Sequence, residues 1–242
     1  MLLKKLKRDV SAQEVVLRCQ VADRIKVRDY ILSKNTDVKL IPLLWDGVDF
    51  NQSVWDALPS RFVIKANHGS GMILIVDKAK DSYFSVRDRV MPWLKKDFYR
   101  WGREWVYKDL EKKLIVEGFL DLNGTSPPDF KFFCVHNKVE LIQVHLNRFK
   151  NHGQHHYDRN FVRVHAAPSD SRDADIAKPA LFDKAVSIAE HLSADFDFIR
   201  VDLYIMDDCI YFGELTNTPD NGLLEFFPKF EGLLGGKWLK KD

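Results

Sequence analysis

Between residues 10 and 33, apolar positions interleave with charged ones at helical spacing and no Gly or Pro interrupts them, which predicts a helix. A Pro-containing connector, IPLLWDGVDFNQSVWDALP, occupies 41–59, after which the texture changes. RFVIKANHGSGMILIV at 61–76 reads as strand, glycine turn, strand. The stretch 82–109, rich in Trp, Tyr and basic residues, is predicted mostly helical, and KLIVEGFL at 113–120 a short buried strand running into a glycine bend. From Asp129 strands dominate: FKFFCV and VELIQV flank His136, Asn137 and Lys138 as a hairpin. A polar loop at 145–160 follows, then a short strand FVRVH and a second loop at 168–178. Leu181, Ala185, Ile188 and Leu192 line one face of a helix over 180–193. No internal repeat or low-complexity tract is present, and the order of elements predicts two α+β lobes hinged near residues 117–120.

The last strand pair, IRVDLYIMDDCIYFGELTNTP at 199–219, carries the densest candidate chemistry. Ile199, Val201, Leu203 and Ile205 set one face, so Arg200, Asp202 and Tyr204 point to the other. Asp207 and Asp208 mark the turn. A three-residue loop at 206–208 sets Arg200 opposite Glu214 and Asp202 opposite Phe212, with both carboxylates on one face. A two-residue loop shifts the register by one and splits the carboxylates across the sheet. Carboxylates fixed on strands beside a cation suit Mg²⁺ and nucleotide phosphates; the plainer reading is a solvated hairpin.

Composition narrows the field only a little. Lys+Arg 37 against Asp+Glu 35 leaves a net charge of +2, so no global field favours nucleic acid. Cys19, Cys134 and Cys209 lack CxxC spacing and point to a reducing compartment, with neither a disulfide framework nor a zinc site. MLLKKLKR has no apolar stretch after it and does not read as a secretory signal, and no run approaches the length that spans a bilayer.

Three further groups carry potential chemistry. Lys65 ends an apolar strand just before His68, Gly69, Ser70 and Gly71, where glycine lets backbone N–H groups approach phosphate and the ammonium adds a point charge. It is not a Walker A loop, and a plain hairpin turn would look the same. Lys131 sits on a strand among aromatics, as a snorkelling side chain or a phosphate ligand. His145, His152, His155 and His156, with Arg148 and Asp158, crowd the 145–160 loop at spacings that match no zinc motif; they suit an anionic substrate better, and a solvated loop fits them equally. No G-x-S-x-G elbow and no Cys–His arrangement supports a hydrolase.

Taken in order, these segments resemble the ATP-grasp superfamily, and within it the TupA-like group associated with teichuronopeptide and other surface-polysaccharide synthesis. The resemblance runs through ADRIKVRDYI at 22–31, IPLLW at 41–45, LPSRFVIKANHGSG at 58–71, WGREWVYK at 101–108, LIVEGFL at 114–120, DFKFFC at 129–134, IQVHLNRFKNH at 142–152, FIRVDLY at 198–204 and YFGELTNTP at 211–219. It implies an α+β ATP-grasp fold: a shortened helical N-terminal segment over 1–60, one lobe with the glycine loop over 61–118, and a second with the hairpin over 119–242, clasping ATP. Lys65 would meet the phosphates under a loop of His68, Gly69, Ser70 and Gly71. Glu117, Gly118, Phe119 and Leu120 would read the adenine edge, with Asp121 near the ribose. Lys131 would be a second phosphate contact, and Asp202, Glu214 and Thr216 would hold Mg²⁺ (or Mn²⁺) beside a catalytic Arg200. Thr216 departs from the Glu-x-Asn that many members carry. Residues 1–60 are short for a substrate domain, so Arg24, Arg28 and the 145–158 loop with Arg148 and His152, or else a partner protein, would supply substrate contacts.

The implied activity is cytoplasmic ATP-dependent ligation of a carboxylate to an amine, an amino acid joined to a uronic acid of a polysaccharide precursor. Two other readings fit the same residues: a glycosyltransferase using paired acids on a sugar nucleotide's metal, and a non-catalytic ATP-binding scaffold.

Overall fold

The computed structural model describes residues 10–122, 126–146 and 153–239. Along the chain run α1 (Ala12–Ala22), α2 (Val27–Ser33), β1 (Lys39–Leu40), β2 (Leu43–Gly47), α3 (Gln52–Ala57), β3 (Arg61–Ala66), β4 (Ile73–Asp77), α4 (Tyr83–Val90), α5 (Phe98–Gly102) and β5 (Leu114–Gly118). Then come β6 (Asp129–Val135), β7 (Lys138–Leu146), β8 (Gly153–Tyr157), β9 (Arg163–Val164), α6 (Phe182–Leu192), β10 (Phe198–Ile205), β11 (Ile210–Thr216) and α7 (Pro228–Leu239). They fall into two compact units, one of residues 10–30 and Ile41–Leu120, the other of Ile31–Leu40 and the chain from Asp121. Residues 10–60 are therefore divided between the units and do not form the separate N-terminal segment that the sequence suggests.

In the first unit a four-stranded sheet has the order β2-β5-β3-β4. The connector expected over 41–59 supplies β2, antiparallel to β5, and α3, which Asn51 caps by accepting from Val54 N. Phe62, Ile64, Leu114 and Val116 pack one sheet face against Phe50, Trp55, Val86 and Val90, all buried. Burying each such side chain contributes about 1.5–3 kcal/mol. The alternation leaves Lys65 and Glu117 on the opposite face. The single helix expected over 10–33 breaks at Asp23, because its carboxylate accepts from Ile25 N and from buried Asn67 and so competes with the helical ladder.

The second unit is a seven-stranded sheet, order β1-β11-β10-β6-β7-β8-β9, antiparallel except where β1 runs parallel to β11. The β6–β7 turn places His136 and Asn137 at φ of 45° and 57°, the primed turn that matches strand twist. One sheet face takes α6 through Phe182, Ala185, Ile188 and Leu192, with Phe132 facing Phe182. At one end of the other face Phe133, Val135, Leu141 and Phe198 pack on Phe226 and Leu234; farther along, that face turns charged. Cys134 is wholly buried and its thiol is pushed up to about 12 by desolvation, which marks it as packing. Of the polar loop expected over 145–160, the described residues are largely strand: β7 continues to Leu146, and all five residues of β8 are buried.

Candidate functional site

The hairpin register has a correction. Met206 N donates to Cys209 O and Ile205 faces Ile210, so Asp207 and Asp208 form a two-residue turn, the case that should split the carboxylates. A β-bulge between Leu203 and Asp202 undoes the split: Leu203 faces Phe212, then Asp202 faces Glu214 and Arg200 faces Thr216. The extra residue is Gly213, where a Cβ would stand 3.0 Å from the Asp202 carbonyl oxygen and 3.3 Å from the Tyr204 ring. All four polar residues therefore share one face, though Asp202 opposes Glu214 and not Phe212.

Neighbouring strands extend this face into a row. Glu214, Asp202, Lys131, Gln143 and His156 stand in register on β11, β10, β6, β7 and β8. Arg200 grips Asp202 with two bonds, Nε to Oδ1 at 2.6 Å and Nη2 to Oδ2 at 2.7 Å, and Nη2 also reaches Glu214 and Thr216 Oγ1 at 3.0 Å each. Thr216 in turn donates to Glu214 at 3.0 Å. Lys131 Nζ donates to Asp202 Oδ2 at 2.5 Å and lies 2.8 Å from Asp129 Oδ2. Burial works against the Arg200 charge, but Asp202 and Glu214 more than offset it and hold the guanidinium above its ordinary value. Burial likewise pushes the Asp202 carboxyl up, against the pull of Arg200 and Lys131. Asp129 went unnoticed in the sequence, although its place two residues before Lys131 on one strand puts both on the same face.

In the other unit Lys65 Nζ donates to Glu117 Oε2 at 2.6 Å; Arg28 reaches Glu117 Oε1 at 3.4 Å and the Ile41 carbonyl at 3.0 Å. The Gly118 amide is taken by the Pro42 carbonyl at 2.9 Å, Phe119 lies under the Arg61 guanidinium at 4.1 Å, Leu120 is half-buried and Asp121 is exposed. The glycine loop is braced from within. Asn67 donates to Asp23 and the Glu111 carbonyl and accepts from Lys113 N, while Arg24 binds the carbonyls of Ala66 and Gly69. His68 is buried between Asn67 Oδ1 and the Trp93 carbonyl, both at 3.1 Å, and burial lowers its pKa. Gly69 packs under Phe98, whose ring a Cβ would meet at 2.7 Å; Gly71 needs its φ of +74°; Ser70 and Gly71 are exposed.

The histidines separate. His155 lies on one face of β8 with Asp173 at 2.6 Å, and His156 on the other with Asp170 at 2.5 Å. Burial pushes the Asp170 carboxyl up, but the His156 bond and charge and the amides of Ala166 and Ala167 outweigh it and hold it below its ordinary value. Arg148 and His152 lie outside the described residues.

The fold and the face just described define an ATP-grasp protein. Two D-alanine–D-alanine ligase structures share the fold with TM-scores of 0.51. The one from Bacillus anthracis, complexed with ATP, is 15% identical over 82% of this chain and 55% of its own; the one from Helicobacter pylori is 13% identical over 92% and 60%. The chain thus spans less than two thirds of either ligase. No curated protein matches it. The chain belongs to the TupA-like ATP-grasp family, which matches residues 2–239.

The donor set fits the divalent cation that this fold implies. Asp202 and Glu214 offer hard carboxylate oxygens side by side, and Mg²⁺ and Mn²⁺ prefer oxygen. Among the described residues no three His, Cys, Asp or Glu side chains converge as a cage. Phosphate oxygens and water would complete the coordination, the usual Mg²⁺ arrangement.

Proposed function

We propose that the protein is an ATP-dependent carboxylate–amine ligase that forms an amide through an acylphosphate, joining an amino acid to a uronic acid of a surface-polysaccharide precursor in the cytoplasm. The observation that carries this reading is the single strand-borne face of Arg200, Asp202, Glu214, Thr216 and Lys131 in a chain of this family. The solved ligase complexed with ATP supports the nucleotide assignment. The polysaccharide substrate rests on the family resemblance. Among the described residues no helix is long and apolar enough to cross a membrane, and no nucleic-acid partner is proposed.

Asp202 and Glu214 would hold Mg²⁺, which when bound neutralises triphosphate charge. The substrate carboxylate attacks the γ-phosphorus of ATP; the bond to the bridging oxygen breaks and ADP leaves. The neutral amine then attacks the acyl carbon and the C–N bond forms. Phosphate departs with the electron pair of the C–O bond and takes up the one proton that the nitrogen loses, and the amide keeps its N–H. Arg200, oriented by Asp202 and Thr216, stabilises charge on the phosphoryl oxygens and on the tetrahedral oxyanion. Lys131 and Lys65 meet phosphate oxygens, Lys65 leaving Glu117 to do so. Ser70 and Gly71 cover the phosphates, while His68 and Gly69 support them from inside. Glu117 and the residues through Leu120 serve the adenine, Asp121 the ribose, and Thr216 orients Glu214. Arg28, Arg148 and His152 are assigned to the carboxylate substrate.

The test is ADP release from ATP and Mg²⁺ with panels of amino acids and uronic acid acceptors, and product mass spectrometry. Release that needs both an amine and a carboxylate, with a product heavier by the condensed amine, is expected. Transfer from a sugar nucleotide without ATP would overturn the reading, as would nucleotide binding with no turnover on any pair. Asp202→Asn and Glu214→Gln are expected to abolish turnover.

A further inference from the structure

We propose that Lys131 is an internal stand-in for the divalent cation on Asp202, and that Asp129 receives the lysine when the cation binds. The inference rests on the reading of this face as the metal and phosphate site. Lys131 Nζ is shared between two buried carboxylates, Asp202 on the neighbouring strand at 2.5 Å and Asp129 on its own strand at 2.8 Å. Lys131, Arg200, Asp129 and Asp202 are 5%, 8%, 4% and 2% exposed, so two cations balance two carboxylates with little help from water. Asp202 Oδ2 accepts from Lys131 and from Arg200, which places two cations on the oxygen that a metal would use.

The two cations are not equally free to leave. Arg200 is a planar fork with bonds to both Asp202 oxygens, Glu214 and Thr216, and every one of them orients the same group. Lys131 is a point charge on a flexible stem with a second carboxylate already in reach. A divalent cation against Asp202 repels the nearby ammonium, which rotates wholly onto Asp129, still charged and on the same sheet face. Asp129 is then a positioning residue: it acts through Lys131 and does not ligate the metal. The nucleotide-free face stays neutralised, and the lysine is kept for phosphate.

Mn²⁺ titration of the nucleotide-free protein, followed by electron paramagnetic resonance, tests this without turnover. Lys131→Met removes the competing cation and is expected to tighten Mn²⁺ binding roughly tenfold. Asp129→Asn removes the receiving carboxylate and is expected to weaken it about fivefold. In the double variant the asparagine is expected to change affinity by less than about twofold relative to Lys131→Met alone. Circular dichroism and melting curves check the fold, and Lys131→Gln replaces the methionine variant if that one does not fold. Unchanged or weaker binding in the lysine variant overturns the stand-in. An undiminished asparagine effect in the lysine-free background makes Asp129 a direct ligand and overturns its positioning role. Wild-type protein that binds no Mn²⁺ even with ATP overturns the metal reading itself, whereas wild-type binding with variants that do not diverge overturns the stand-in alone.

Discussion

The two sheets each carry a lysine on a carboxylate, but they hold the pair by different means. On the seven-stranded sheet Lys131, Asp202 and Glu214 occupy successive paired strands, and every ladder bond between β6, β10 and β11 helps fix their spacing. On the four-stranded sheet Lys65 and Glu117 are diagonal neighbours on β3 and β5, and the adjoining glycine loop hangs on side chains: Asn67, Arg24 and His68. The first arrangement suits groups whose mutual spacing must not change. The second suits a segment that adjusts, since a few side-chain bonds open at lower cost than a central sheet.

The largest expected effect breaks the first cluster. Asp202→Asn leaves Arg200 and Lys131 buried with less opposing charge and is expected to cost about 3–5 kcal/mol in urea unfolding. Lys65→Met is expected to cost clearly less, because Arg28 still faces Glu117; equal losses would erase the contrast. Next comes Asn67→Ala, which strips Lys113 N and Asp23 of a buried partner and is expected to cost about 2 kcal/mol. Amide exchange at residues 67–72 should quicken in that variant while β10 stays protected; uniform quickening would contradict a loop held by local bonds. Gly213→Ala is expected to cost about 1–2 kcal/mol from crowding at the Asp202 carbonyl. It should also weaken Mn²⁺ binding by spreading Asp202 from Glu214, so unchanged affinity would mean that the bulge does not set the site.

The smallest effect is a pH dependence. Burial lowers the His68 pKa in the fold, so the unfolded chain binds the proton more readily. Stability from His68 is therefore fully present above about 6.5, the unfolded value, and is lost as pH falls through the lower folded value. Between pH 7.5 and 5.5 the melting temperature of the wild type should fall more than that of His68→Gln. Parallel curves would show that His68 does not brace the loop.

Much of the seven-stranded face was legible because a strand has a period of two: once Ile199, Val201, Leu203 and Ile205 point inward, Arg200 and Asp202 must point together. The same rule could have found Asp129 beside Lys131. The strand β8 was not legible, because His155 and His156 read as part of a polar loop until Asp173 and Asp170, from the loop at 168–178, supply their partners, Asp170 buried and Asp173 at the surface. The break at Asp23 was hidden for a similar reason: half of its bonding comes from Asn67.

The sequence by itself determined β3 to β7, β10 and β11, the faces of their side chains, the glycine turn and the family, since each depends on local periodicity or on residues in order. Only the tertiary structure decided which carboxylate meets which. Register depends on the turn and on every irregularity beyond it, and one extra residue at Gly213 was enough to bring Asp202 and Glu214 together where the turn alone would have parted them.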